Sequence, residues 1–185
     1  MHQTKMISLI ALVLFGIVGI SSPVWGASPV VIHEWADFQG PFSAKFFLET
    51  KPLIQSTFGS SVVIVFHHFP LSFYPYDWKA SEASECARDQ GKFDEYAKML
   101  FTNQNALDDA SLKVYAASLG LNTVIFNQCL DSGQKFSVVQ SDMLKGQQLG
   151  VAGTPTFLFR GTSATIVGAQ PFFVFSNMIN RLLHS

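Results

Sequence analysis

Hydrophobic positions change their period several times along the chain, and each change marks an element. Val30 to Trp35 is β-branched and aromatic and predicts a strand. Pro41 to Thr57 has helical composition. Pro41 suits a first helical position, Pro52 should kink the helix or end its first part, and Gly59 is a fitting stop. Val62 to His68 is nearly continuous in apolar residues up to its end, the pattern of a buried central strand. A long helical stretch follows. Trp78 to Gln90 is Ala-rich, Lys92 to Phe101 is amphipathic, and Asp108-Asp109 places acids at a helix start before Leu112, Tyr115, Ala116 and Leu119. Asn122 is an N-cap for a short helix through Leu130, and Gln134 to Leu149 forms another. The strand signal returns at Thr156 to Phe159 and, after a turn at Gly161, at Thr165 to Val167. Pro171 opens a last helix through about Leu183. The order is β-α-β, several helices, then β-β-α. This predicts an α/β chain with one sheet and a helical insertion at about 76–149.

One hydrophobic segment falls outside this pattern. Met6 to Ile20 is 15 apolar or small residues behind Lys5. That length suits the core of a secretory leader and falls short of the ~20 residues that span a bilayer. Ser21, Ser22 and Pro23 break it. Val24-Trp25-Gly26 offers residues suited to a processing site, so residues 1–26 are expected to be a signal peptide cleaved after Gly26, with an uncleaved anchor as the rival reading. The domain is then 27–185, with no stable membrane anchor after cleavage, and the protein is exported to a periplasmic or extracellular space. Such a compartment is oxidising.

Composition narrows the function. Charged residues make up only 14% and apolar ones 48%, with 18 Phe, so the chain can build a sizeable core and is not disordered. The formal net charge of −1 argues against a basic nucleic-acid surface. The 2 Cys are too few for a zinc site made of Cys alone. Cys86 and Cys129 lie too far apart to be a two-residue redox motif. In an oxidising compartment they are expected to pair and tie two insertion helices together, the alternative being two separate buried thiols. His67 and His68 end a strand, where neighbours point to opposite faces, so they cannot chelate one ion together. No metal or cofactor is expected.

Asp37-Phe38-Gln39-Gly40-Pro41-Phe42-Ser43 sits where the first strand turns into the first helix. Phe69-Pro70-Leu71 follows the second strand, Cys86-Ala87 and Gln90-Gly91-Lys92-Phe93 lie in the insertion, and Gly150-Val151-Ala152-Gly153-Thr154-Pro155-Thr156 precedes the third strand. In this order the pieces resemble the DsbA-like branch of the thioredoxin superfamily, over about Val30 to Leu183. The resemblance implies a thioredoxin-like fold, βαβ…ββα with a helical insertion. It also implies a C-P-x-C redox site where this chain has Gly40-Pro41-Phe42-Ser43. In the family the first Cys is a thiolate stabilised by the helix N-terminus and the second resolves the mixed disulfide. Gly40 has no attacking group and Ser43 forms no stable bridge, so the degenerate motif has no catalytic residue for disulfide exchange. Returning Cys to both positions is expected to restore some exchange.

The resemblance further implies that Pro155 follows a cis bond and faces the motif, leaving the Thr154 backbone free to pair with an extended peptide. Phe42, Thr154 and Pro155 are therefore the candidate substrate-binding residues, and unfolded or extended polypeptides the candidate partners. Phe42 should face solvent, while Phe46, Phe47 and Phe69 are mostly core. Glu34 takes the place of a family acid that relays protons beneath the thiols. With no thiols to serve, it is expected to be a satisfied, partly buried carboxylate on the face of Ile32. Ser43 could act as a nucleophile only with a base in reach, the candidates being His33, His67 and His68. Two enzyme readings stand as alternatives. One is thiol–disulfide exchange, if the cysteines have been replaced in this chain. The other is glutathione transfer, since kappa-class transferases resemble this branch but carry their serine at the position of Gly40.

Overall fold

The computed structural model describes residues 28–185, so the expected leader and its processing site lie outside the described residues. Strand β1, Val30–Ala36, runs parallel to β2, Val62–His68; β3, Thr156–Phe159, is antiparallel to β1, and β4, Thr165–Val167, is antiparallel to β3. The sheet order is β2-β1-β3-β4. β2 is thus the outer strand and half-exposed over most of its length, not the buried central strand its apolar run suggested. Helices flank it on both sides, and their partial cover is what an apolar edge strand needs.

The first helix comes in three pieces. α1, Pro41–Lys45, passes into a π-helical turn at Phe46–Thr50 and then into α2, Lys51–Phe58. Pro52 has no N–H to give and its ring crowds the preceding turn, so the wider π turn takes up the misfit that the sequence placed at this proline. The π-helical turn and α2 pack one sheet face together with the last helix, Phe172–Leu183. Phe46, Phe157 and Phe175 meet there with ring centroids 4.3–5.2 Å apart.

The insertion holds five helices: α3, Asp77–Arg88; α4, Phe93–Thr102; α5, Asp109–Ser118; α6, Thr123–Asp131; and α7, Phe136–Gln148; the last helix is α8. Asp108 and Asn122 cap α5 and α6, each accepting two backbone N–H groups. Cys86 on α3 and Cys129 on α6 form the expected disulfide, with Cα atoms 5.9 Å apart. It ties together the insertion's own core, which includes Tyr96, Leu100 and Phe126.

α7 packs on the other sheet face against β2. Trp35 Nε1 donates to the Asp142 carbonyl at 3.1 Å. Gly146 permits the approach, because a Cβ there would sit 2.7 Å from the Trp35 ring. No described helix is long and apolar enough to cross a membrane.

Candidate functional site

β1 delivers Asp37 to Ser43 to the start of α1. Gly40 stands at the N-cap with φ −74° and ψ 124°, a conformation any L-residue can adopt, and it offers no side chain to the free helix amides. The Asp37 carboxyl lies beside this helix start, bonded to the Ser43 hydroxyl and not to the helix amides. The Ser43 hydroxyl donates to Asp37 Oδ1 at 2.6 Å, and both residues are fully buried. A Cβ built on Gly40 would overlap this carboxylate, with Asp37 Cγ 2.6 Å away. Burial pushes the Asp37 carboxyl above its ordinary pKa. The Ser43 and Thr154 side chains and the backbone N–H groups of Asp37 and Gly40 pull the other way. Asp37 Oδ2 itself has no partner with hydrogen-bond geometry, so we read Thr154 as lying beside the carboxylate rather than firmly bonded to it. The buried Asp37 carboxyl therefore fills the space a residue-40 side chain would use. Restoring two cysteines requires that carboxyl to move as well.

Ser43 is a structural hydroxyl. Its partner is Asp37, while His67 pairs with His33 and Asp142, and His68 with Glu85. None of the three histidines is its base. His67 and His68 do point to opposite faces, as strand alternation requires. Among the described residues, no group of three or more His, Cys, Asp or Glu is arranged to hold a metal ion.

Two further residues set the turn. Asp77, at the start of α3, accepts the Phe38 N–H at 2.7 Å and the Leu71 N–H at 3.0 Å, stapling the turn to the loop after β2. Burial first, then the nearby Asp37, pushes its carboxyl up to about 7. Gln104 Nε2 donates to the carbonyls of Phe38 and Gly40 at 2.8 and 2.9 Å. Sequence reasoning missed both residues, and it quoted Asp37 only as part of a motif. A side-chain-free N-cap preceded by an Asp three positions earlier was the available signal.

Glu34 overturns its expectation. It lies on the Ile32 face as alternation placed it, but it is fully buried and neither oxygen has a hydrogen-bond partner among the described residues. Burial pushes its pKa up to about 7; Lys51 opposes the shift and Asp94 reinforces it.

The peptide bond between Thr154 and Pro155 is cis, as the resemblance implied. Thr154's backbone N–H and C=O take no partner among the described residues, whereas the Pro155 carbonyl accepts the Gly168 N–H. Phe42 is 62% exposed, while Phe46, Phe47 and Phe69 are buried. Phe73 and Tyr76 also stand exposed on the loop stapled to the turn by Asp77, and the Tyr76 N–H donates to Gln39 Oε1 at 2.7 Å.

A family model described as Thioredoxin matches residues 23–170. The chain belongs to the thioredoxin family. Its fold matches DsbA-like structures. BdbD from Bacillus subtilis superposes with a TM-score of 0.75 at 22% identity, covering 85% of this chain and 89% of that one. Alpha-DsbA1 from Wolbachia pipientis gives 0.72 at 22% identity, covering 85% and 87%. Among curated proteins, this thioredoxin-family chain is 30% identical over 139 residues to the Na(+)/H(+) antiporter NhaA 1 of Mycobacterium sp. (strain KMS). That match covers 72% of this chain and 22% of the antiporter. The chain thus spans about a fifth of the length of the curated relatives it matches.

Proposed function

We propose that this thioredoxin-family chain is an exported, DsbA-like protein that does not exchange disulfides and binds extended or unfolded polypeptide between Gly40-Pro41-Phe42 and Thr154-Pro155. The observation that carries the reading is the Asp37 carboxyl in the space of a residue-40 side chain, beside a Thr154 whose backbone groups take no partner among the described residues. The first feature removes the site for a thiol. The second leaves a donor and an acceptor for a peptide backbone. Exposed Phe42, Phe73 and Tyr76 add apolar surface around them.

Glutathione transfer fits less well. A bound thiolate would need the space beside Gly40, which the Asp37 carboxyl already fills. Ion exchange is no part of this reading, since it is named for proteins of which this chain matches about a fifth.

The test is calorimetric titration with reduced, carboxymethylated lactalbumin, an unfolded polypeptide without free thiols. Saturable binding is expected, weakened at least about fivefold by Phe42→Asp. No heat of binding, or equal binding by Phe42→Asp, contradicts the proposed groove.

A further inference from the structure

Among the described residues nothing pairs with the outer edge of β2, and the hydrogen bonds around it show which of its backbone groups face outward. Phe69 N–H donates to the Ala36 carbonyl of β1 at 2.9 Å. His68 N–H, one residue earlier, points away from β1 and donates to Asp142 Oδ2 at 3.1 Å. Backbone direction alternates along a strand, so Ile64 and Phe66 share the orientation of His68. Their N–H and C=O groups face away from β1, and no described residue hydrogen-bonds to them there.

This edge forms the floor of a groove of about 470 Å³. One wall is Lys51, Arg88, Phe93 and Asp94; the other is Val138 and Asp142 of α7. The walls lie on opposite faces of the sheet, since His68 reaches Glu85 of α3 while His67 reaches Asp142 of α7. A second copy would bring the same edge sunk between the same walls. Two such edges cannot approach to the ~4.8 Å that strand pairing requires. A single extended segment can. Asp142 closes the groove at His68, so the segment must end opposite Phe66.

The walls also set its side chains. Residues of the segment on the α7 side meet Val63, Val65 and Val138, of which Val63 and Val138 are 43% and 40% exposed. On the other side they meet charges already paired, Lys51 with Asp94 at 3.2 Å and Arg88 with Glu85 at 2.9 Å. An ionised ligand side chain finds no free counter-charge there. We propose that the β2 edge is a second polypeptide site. It takes by strand addition a segment of about five residues in which apolar positions alternate with polar, uncharged ones. This site is separate from the Pro155 groove and does not depend on it.

The probe is an acetylated, amidated heptapeptide alternating Thr and Val, added to the whole protein and followed by amide hydrogen exchange and NMR shifts. In the free protein the Ile64 and Phe66 amides should exchange rapidly and those of Val65 and His67 slowly. With peptide, protection at Ile64 and Phe66 should rise at least about tenfold. Val138→Lys, on an exposed position, should weaken binding about tenfold. The same peptide N-methylated at every residue keeps its side chains, loses its backbone donors and should not bind. Four results would overturn the proposal: no change at Ile64 and Phe66; protection there before peptide is added, meaning the chain or a second copy already covers the edge; binding that survives full N-methylation; or shifts confined to Thr154 and Pro155.

Discussion

The carboxylate of Asp37 stands where a side chain on Gly40 would have to begin. Gly40 adopts an ordinary extended conformation, so a larger residue there meets a neighbour and not a backbone penalty. Gly40→Ala should therefore cost about 1–3 kcal/mol in urea unfolding. In an Asp37→Ala background the same change should cost much less, a coupling that a double-mutant cycle measures. Equal costs in the two backgrounds would mean that the two positions do not share this space.

Stability should fall as pH rises through neutrality. Glu34 and Asp77 are carried to about 7, chiefly by burial, and Asp37 is raised too. Between the ordinary carboxylate range and about 7, the folded chain holds protons that the unfolded chain releases. Their contribution is complete below that window and lost as pH climbs through it. Burial also opposes ionisation of Glu85 and Asp142, but hydrogen bonds from His68 and His67 outweigh it and lower both. Those two contributions are lost on acidification, at and below the usual carboxylate range. The Tm should be higher at pH 5 than at pH 8 by about 5–10 °C. Glu34→Gln should flatten that difference. His33 works against this trend, because burial first and then His67 lower its pKa, so its contribution is lost as pH falls through the imidazole range. A Glu34→Gln variant with the same pH 5 to pH 8 difference as the unaltered chain would contradict the raised Glu34 pKa.

The disulfide should matter to the fold without touching the site. Cys86 and Cys129 join α3 to α6 across a sequence separation of 43. In the chain-entropy account, closing such a loop stabilises by about 4 kcal/mol. Cys86→Ala/Cys129→Ala should lower unfolding stability by roughly that amount and leave lactalbumin binding at the folded site unchanged. A loss of binding at temperatures where the variant remains folded would tie the insertion to the groove.

What the sequence revealed was mostly periodicity and capping. Asp108 and Asn122 announced their helices because each side chain bonds amides two and three residues on, a local event. The turn at Gly40 to Ser43 was legible as a site from its place between a strand and a helix. Its contents were not, because Asp77 and Gln104 reach it from positions far along the chain. Glu34 was assigned the right face but the wrong surroundings: alternation gives direction, not the number of partners waiting there. β2 misled for a related reason. An apolar run reports cover on both faces, and helices on either side of an outer strand supply it without a second neighbouring strand.

Insulin reduction by three forms of the protein tests the central claim most directly. The unaltered chain should be inert, because Gly40 and Ser43 carry no sulfur and Cys86 is bonded to Cys129. Gly40→Cys/Ser43→Cys should recover little, since the Asp37 carboxyl occupies the new side chain's space. Adding Asp37→Ala to that pair should raise the rate at least about tenfold, as space returns at the start of α1 and the helix N-terminus can stabilise the thiolate. A double variant as fast as the triple one, or exchange by the unaltered chain, would contradict the account.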